Sequence, residues 1–287
     1  MSLSNSFILI FSCPDVAGIQ AAVTTCLFEA DAFIEESASF SDPEAKLFFG
    51  RIVVREKAGN VLDEPRLRNA LTKVASRLHM EWELTNAARP CPAVIAVSKH
   101  GHCLNDLLHR ISTGRLNIAV KAVVSNHDDM RALVEWHGIP FHHLPVTPAT
   151  KQMQESAFMD IIESTGAELT ILARYMQILS PDFSAKLAGK CINIHHSFLP
   201  SFKGARPYHQ AHLRGVKIIG ATAHYVTPDL DEGPIIEQDV HHVDHSMSAE
   251  DFIEVGRDNE CTVLARAVKR HSERRVLISG MRTIVFR

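Results

Sequence analysis

The chain has 287 residues, 46% of them hydrophobic and 22% charged, with a formal net charge of −3. That length suits one large or two modest domains of ordinary globular make-up, and the mild negative charge excludes a dedicated nucleic-acid or anionic-membrane binder. No apolar run reaches the roughly 18 residues of a membrane span, and the opening Met1-Ser2-Leu3-Ser4-Asn5-Ser6 lacks the basic stretch of a secretion signal.

Phe7 to Phe11 is a strand-like apolar run. Cys13-Pro14-Asp15 is a turn, and Asp15 is placed to cap a helix over Ala17 to Glu29, where Ile19, Val23 and Leu27 share one face. Ala32 to Phe40 alternates as a strand, Ser41-Asp42-Pro43-Glu44 turns, and Leu47 to Arg55 reads as a third strand. Asp63 to Leu78 is an amphipathic helix, and Met80 to Leu84 a short strand. The order β-α-β-β-α-β is the ferredoxin-like pattern. Asn86 to Pro92, with two prolines, reads as a linker. The expected domains are therefore 1–85, a linker at 86–92, and 93–287.

Beyond the linker, short apolar strands alternate with helices. Strands are expected at Ala93 to Val97, Ile118 to Val124, Phe141 to Leu144, Glu168 to Ala173 and Cys191 to His195. Helices are expected at Leu104 to Ile111, Asp129 to Trp136 and Thr150 to Ser164. Such an order implies a mostly parallel sheet with helices on both faces, and a ligand site outside the carboxyl ends of the strands. A short helix at Ala211 to Arg214, strands at Lys217 to Val226 and Ile235 to His242, and a long helix from Ser248 to His271 follow. Ser248 and Asp251 open that helix as a capping-box-like pair. Val276 to Ile278 and Thr283 to Phe286 flank Gly280 as a terminal hairpin.

The six cysteines, Cys13, Cys26, Cys91, Cys103, Cys191 and Cys261, are scattered without a CxxC pair. This favours a reduced, cytoplasmic setting over a disulfide framework. All seventeen histidines fall between His79 and His271, so titratable side chains are concentrated in the later part of the chain. Two turn-prone segments there carry chemistry: Asn193-Ile194-His195-His196-Ser197, and Asp229-Leu230-Asp231-Glu232-Gly233-Pro234. Taken alone, an Asn-x-His pair on a strand is more often a hydrogen-bonded turn, and Asp231 a turn residue. His241-His242 and Asp244-His245 match no metal motif and read as solvated or capping side chains. Cys103 beside His102 reads as a helix start with a packed thiol rather than a nucleophile.

Asn193-Ile194-His195, Leu199-Pro200-Ser201-Phe202-Lys203-Gly204, Gly220-Ala221-Thr222 and Asp229-Leu230-Asp231-Glu232-Gly233 resemble the formyltransferase family that uses 10-formyltetrahydrofolate. Val97-Ser98-Lys99, His102-Cys103-Leu104, Ala173-Arg174-Tyr175-Met176-Gln177-Ile178-Leu179-Ser180 and His195-His196-Ser197-Phe198-Leu199-Pro200 bring the likeness closer to its formyltetrahydrofolate deformylases. The front βαββαβ unit, with Cys13-Pro14-Asp15 and Gly18-Ile19, resembles an ACT domain. The resemblance implies an α/β chain: a ferredoxin-like ACT domain followed by a mostly parallel, Rossmann-like formyltransferase domain.

The implied activity is hydrolysis of 10-formyltetrahydrofolate to tetrahydrofolate and formate, balancing one-carbon pools and supplying formate for purine synthesis. It implies a folate substrate, no cofactor, no metal, and no nucleic-acid or membrane partner. It also implies a homo-oligomer joined through the ACT domain, with glycine or methionine as effector. Catalysis falls to Asn193, His195 and Asp231. Hydrolysis of an N-formyl amide puts negative charge on the formyl oxygen, which an amide donor and an imidazolium hold. A carboxylate beside the imidazole favours its charged form and relays protons. The implied folate contacts are Met176, Gln177, Ile178, Leu179 and Asp229, with His196 as a pocket wall or second base and Lys203 and Gly204 shaping the loop over the site. Transfer of the formyl group to an amine is the alternative, and a catalytically dead, ligand-sensing protein is a third reading.

Overall fold

A computed structural model of the chain describes residues 6–57, 62–197 and 207–287. They form two compact units. The first takes in the chain through Pro90, together with Glu273–Ser279 and Thr283–Arg287. It contains β1 (Ser6–Pro14), α1 (Ile19–Glu29), β2 (Phe33–Asp42), β3 (Leu47–Arg55), α2 (Glu64–Leu78) and β4 (Glu81–Asn86), the expected βαββαβ order. The sheet is antiparallel in the order β2-β3-β1-β4. Leu9 and Val54 from the sheet pack with Val23 and Leu27 of α1 and Leu67 and Leu71 of α2, all fully buried. The helical pairs are spaced by four, the repeat that puts two side chains on one face.

Asp63 caps α2 by accepting from the backbone N–H of Arg66. Asp15 does not cap α1 as expected. β1 runs on through Pro14, which pairs with Leu47, so Asp15 comes too early and accepts from the Ser41 hydroxyl instead. The helix starts behind Gly18, whose φ of 88° is backbone that a side chain would strain.

The second unit spans Cys91–Ser272 and Gly280–Arg282. Its elements are β5 (Cys91–Val97), α3 (His102–Ser112), β6 (Ile118–Ser125), α4 (Arg131–Trp136), β7 (Phe141–His143), α5 (Lys151–Thr165), β8 (Leu169–Leu172), α6 (Pro181–Lys186), β9 (Cys191–His195), α7 (Pro207–Arg214), β10 (Ile218–Tyr225), β11 (Ile235–His242) and α8 (Ala249–Ser272). The sheet order is β11-β10-β9-β8-β5-β6-β7. The five strands from β9 to β7 are parallel, and β10 and β11 add on antiparallel.

β5 is buried along its whole length, as a strand covered on both faces must be. Val94 and Ala96 pack with Phe158 of α5 and Phe183 of α6, while α8 lies against β9, β10 and β11. The expected cap of α8 is present: Ser248 Oγ accepts from the Asp251 N–H at 3.1 Å, and Asp251 accepts from the Ser248 N–H at 2.7 Å. The helix α6 was not foreseen; Ser180 caps it and Pro181 opens it. From β5, the chain adds β6 and β7 on one side and β8 and β9 on the other. Ser98 and Arg174 therefore leave adjacent parallel strands at the switch point, where such sheets bind ligands.

Two boundaries differ from the sequence reading. β4 extends to Asn86 and β5 begins at Cys91, so Asn86, Cys91 and Pro92 are strand residues and the connection is Ala87 to Pro90. The domain expected over 93–287 does not keep its end. The hairpin β12 (Val276–Ser279) and β13 (Arg282–Val285) belongs to the first unit apart from residues 280–282. The cause is apolar cover: Leu277 and Phe286 bury Phe49. The Arg51 guanidinium, on the same unit, donates to the carbonyl of Glu273 at 3.2 and 3.1 Å.

Candidate active site

Residues alternate in direction along β9, so Asn193 and His195 share one face while Ile192 and Ile194 are buried on the other. The antiparallel register sets His224 of β10 opposite Asn193, and Thr222 opposite His195. The β10–β11 ladder skips a residue between Ala223 and His224, a bulge of the kind that re-aims side chains beside active sites. The loop from β10 to β11 then folds back over this pair. A Cβ on Gly233 would run into the backbone carbonyl oxygen of Tyr225, so the close return requires glycine.

The loop delivers Asp231, itself at a left-handed φ of 58°. Its Oδ2 lies 3.2 Å from His195 Nδ1, and its Oδ1 lies 3.5 Å from Asn193 Nδ2 and 3.6 Å from His224 Nε2. His224 Nδ1 reaches the carbonyl of Tyr225 at 2.9 Å, which leaves Nε2 facing Asn193 at 3.3 Å. Burial alone would raise the Asp231 pKa. Hydrogen bonds and charge from His195 and His224 outweigh it and hold the carboxyl well below the usual range. With Nδ1 tied to Asp231, His195 Nε2 is buried and has no hydrogen-bond partner among the described residues. A buried ring nitrogen left so calls for an explanation, and a bound ligand supplies one.

His196 stacks on His195 with ring centroids 4.8 Å apart, and its Nδ1 accepts from Arg174 Nη1 at 2.9 Å. Burial first, then the Arg174 and His195 charges, push the His196 pKa down to about 4. A second cluster centres on Glu260, which is 1% exposed. It accepts from Tyr208 Oη at 2.6 Å and His102 Nε2 at 2.8 Å, and Arg174 Nε lies 3.3 Å away. His102, Cys103 and Glu260 offer ligand atoms within 4.8 Å of one another, but the carboxylate is already engaged by two hydrogen bonds and the Arg174 ion pair. A hydrogen bond with Cys261 and burial raise the Cys103 pKa, which disfavours a thiolate nucleophile.

Asn193, His195, His196, His224, Asp231 and Arg174 open on a cavity of about 750 Å³. Met176, Gln177, Ile178 and Leu179 line it as expected, as do Asp229, Asp231, Asn193, His195 and His196. Met176 and Ile178 are 55% and 62% exposed, too open for plain core. Lys203 and Gly204 lie outside the described residues. His241 and His242 are exposed on β11. The sequence reading missed His224, Arg174 and Glu260. Each had a faint signal: a histidine following Gly220 to Ala223, a cation just past a buried strand, and a carboxylate on the apolar face of α8 three positions before Val263.

The formyl transferase family model matches residues 92–268. Over 100% of both chains, the protein is 48% identical to a formyltetrahydrofolate deformylase of Corynebacterium sp. (strain P-1). The chain belongs to the formyltetrahydrofolate deformylase family. A solved formyltetrahydrofolate deformylase from Burkholderia mallei ATCC 23344 shares 51% identity and superposes with a TM-score of 0.95, covering 99% of this chain and 100% of that one. Glycinamide ribonucleotide transformylase 1 from Symbiobacterium toebii matches less: 27% identity and a TM-score of 0.64, covering 69% of this chain and 95% of its own. The expected α/β architecture, a small antiparallel-sheet unit preceding a mostly parallel formyltransferase domain, is the one found.

Proposed function

We propose that the chain hydrolyses 10-formyltetrahydrofolate to tetrahydrofolate and formate, with Asn193, His195 and Asp231 as its catalytic residues. The observation that carries this is His195, tied at Nδ1 to Asp231, lining the cavity, and with a buried Nε2 that has no partner among the described residues. Water adds to the formyl carbon, and the carbonyl electrons move onto oxygen. Asn193 Nδ2 and the Nε2–H of His195 stabilise that oxyanion. The added water gives up a proton towards Asp231, and N10 takes one as its bond to carbon breaks. Formate and tetrahydrofolate leave, and no covalent enzyme intermediate forms. The proton and oxyanion roles are met by side chains, so the route asks for no cofactor.

The Met176–Leu179 segment and Asp229 are read as the walls that take the pterin, by backbone groups on one side and apolar contact on the other. Whole-length likeness to deformylases, against the shorter match to a transformylase, favours water over an amine as the acceptor. The close approach of Asn193, His195 and Asp231 disfavours a dead sensor. The test is to incubate the purified protein with 10-formyltetrahydrofolate and no amine. Stoichiometric formate supports hydrolysis; formate only when an amine is supplied, or none at all, overturns it.

The first unit is read as an ACT domain that joins copies of the chain into a homo-oligomer and takes glycine or methionine as effector. Its βαββαβ order and the exposed Phe33 and Phe40 on the edge strand β2 support the assembly role. A cytoplasmic setting accords with six free cysteines, five of them buried.

A further inference from the structure

His195 and His196 are neighbours in sequence and stacked in space, yet they face opposite partners. His195 Nδ1 meets the Asp231 carboxylate at 3.2 Å, and His196 Nδ1 meets the Arg174 guanidinium at 2.9 Å. Arginine has only donors, so His196 Nδ1 must accept. The ring is then neutral and carries its hydrogen on Nε2. A proton on Nδ1 would break that bond and set a cation against both Arg174 and a charged His195. Among the other groups near the ring, Glu260 and Asp231 favour protonation, and the Tyr208 ring lies 6.3 Å away. Burial, Arg174 and His195 outweigh those carboxylates and bring the pKa to about 4.

Arg174 is itself held in place. Its φ is 63°, a conformation glycine takes freely and a side chain takes at a cost, so the side chain is kept for what it does. Its carbonyl accepts from the Ser98 N–H at 3.2 Å. Ser98 Oγ in turn accepts from the Met176 N–H at 2.9 Å, which pins the turn. The charge is braced by Glu260, whose carboxyl is held below the usual range. Burial raises it, but the His102 hydrogen bond, the Arg174 charge and the Tyr208 hydrogen bond prevail. Without that carboxylate, Arg174 would be a largely buried cation that has lost its ion-pair partner.

We propose that Arg174, braced by Glu260, is a positioning residue that sets the proton pattern of the stacked pair: it makes His196 Nδ1 an acceptor and keeps that ring neutral, while His195 turns its own Nδ1 to Asp231. Two stacked imidazoles are thereby given opposite hydrogen-bonding partners, the condition for distinct roles in one site. The functional consequence rests on the hydrolase reading above; the protonation pattern does not.

Nitrogen-15 NMR of the histidine-labelled wild-type protein tests the pattern directly. The expected result is His196 with a bare Nδ1, its hydrogen on Nε2, and no protonation until about pH 4. A hydrogen on Nδ1, or titration near the ordinary value of about 6.5, overturns the proposal. The second test is the pH dependence of kcat in Arg174→Gln and Arg174→Lys. Removing Arg174 lifts one of the causes that hold the His196 pKa down while burial stays, so Arg174→Gln should lose more activity at pH 5.5 than at pH 8, relative to wild type. Arg174→Lys should recover most of the loss at pH 5.5. An equal loss for Arg174→Gln at both pH values overturns the proposal, because a merely structural residue would give that result. If the hydrolase reading itself is wrong, the wild type releases no formate at any pH while the NMR result stands.

Discussion

At the scale of single residues, the oxyanion role proposed for Asn193 and His195 sets a magnitude. Asn193→Ala or His195→Ala should lower kcat roughly a hundredfold or more, on the order of 3 kcal/mol of transition-state stabilisation, with a milder effect on folate binding. Steady-state kinetics with near-normal turnover in either variant would remove that residue from the site. Asp231 makes a different statement, about acid. Its folded pKa is lowered, so its contribution to stability is complete above the unfolded value of about 3.9 and fades as pH falls from there towards the folded value. Asp231→Asn should therefore melt closer to wild type at pH 3 than at pH 6, besides having lower activity and a shifted pH–rate profile. A melting difference independent of pH would count against the ion pair with His195. These three residues stood out in the sequence through the family resemblance of their segments, since the local pattern alone reads them as turn residues. His224, Arg174 and Glu260 did not, because nothing local marks them. They come from three separate elements and acquire meaning only through the β9–β10 register, the turn after β8 and the packing of α8.

Among elements, the strands and helices with strong periodicity stand where the sequence puts them, including β3 at Leu47–Arg55 and β9 at Cys191–His195. The misses have physical causes. Asp15 looked like a cap, but the pairing of β1 with β3 carries the strand past it. α6 is six residues long, too short for its repeat to show against the apolar run before it. The loop between β10 and β11 was readable as a turn, but not as a clasp over Asn193. Gly233 is what permits that clasp. Gly233→Ala should lift the loop from the Tyr225 carbonyl, carry Asp231 away from His195 and abolish formate release. The circular dichroism of the rest of the fold should survive, since the change meets only one loop. Retained activity would mean that Asp231 can act from elsewhere.

For the whole molecule, β2 is an edge of the first unit's sheet and carries Phe33 and Phe40, 45% and 43% exposed. Edges of this kind pair or must be blunted. Light scattering at micromolar concentration should give at least twice the 31.9 kDa of one chain, and Phe33→Lys with Phe40→Lys should reduce it to one. A wild-type monomer would end the assembly reading. The terminal hairpin has a consequence for how the protein comes into being. Arg51 bonds the carbonyl of Glu273, 222 residues further along the chain, and Phe49 waits for Leu277 and Phe286. As the chain leaves the ribosome, the unit begun first is thus completed last, after nearly all of the second unit has been synthesised. Entropy hardly resists so long a closure, since each doubling of loop length adds only about 0.6 kcal/mol. The delay is one of timing, and a chaperone that shields nascent apolar surface would find β3 uncovered for most of translation.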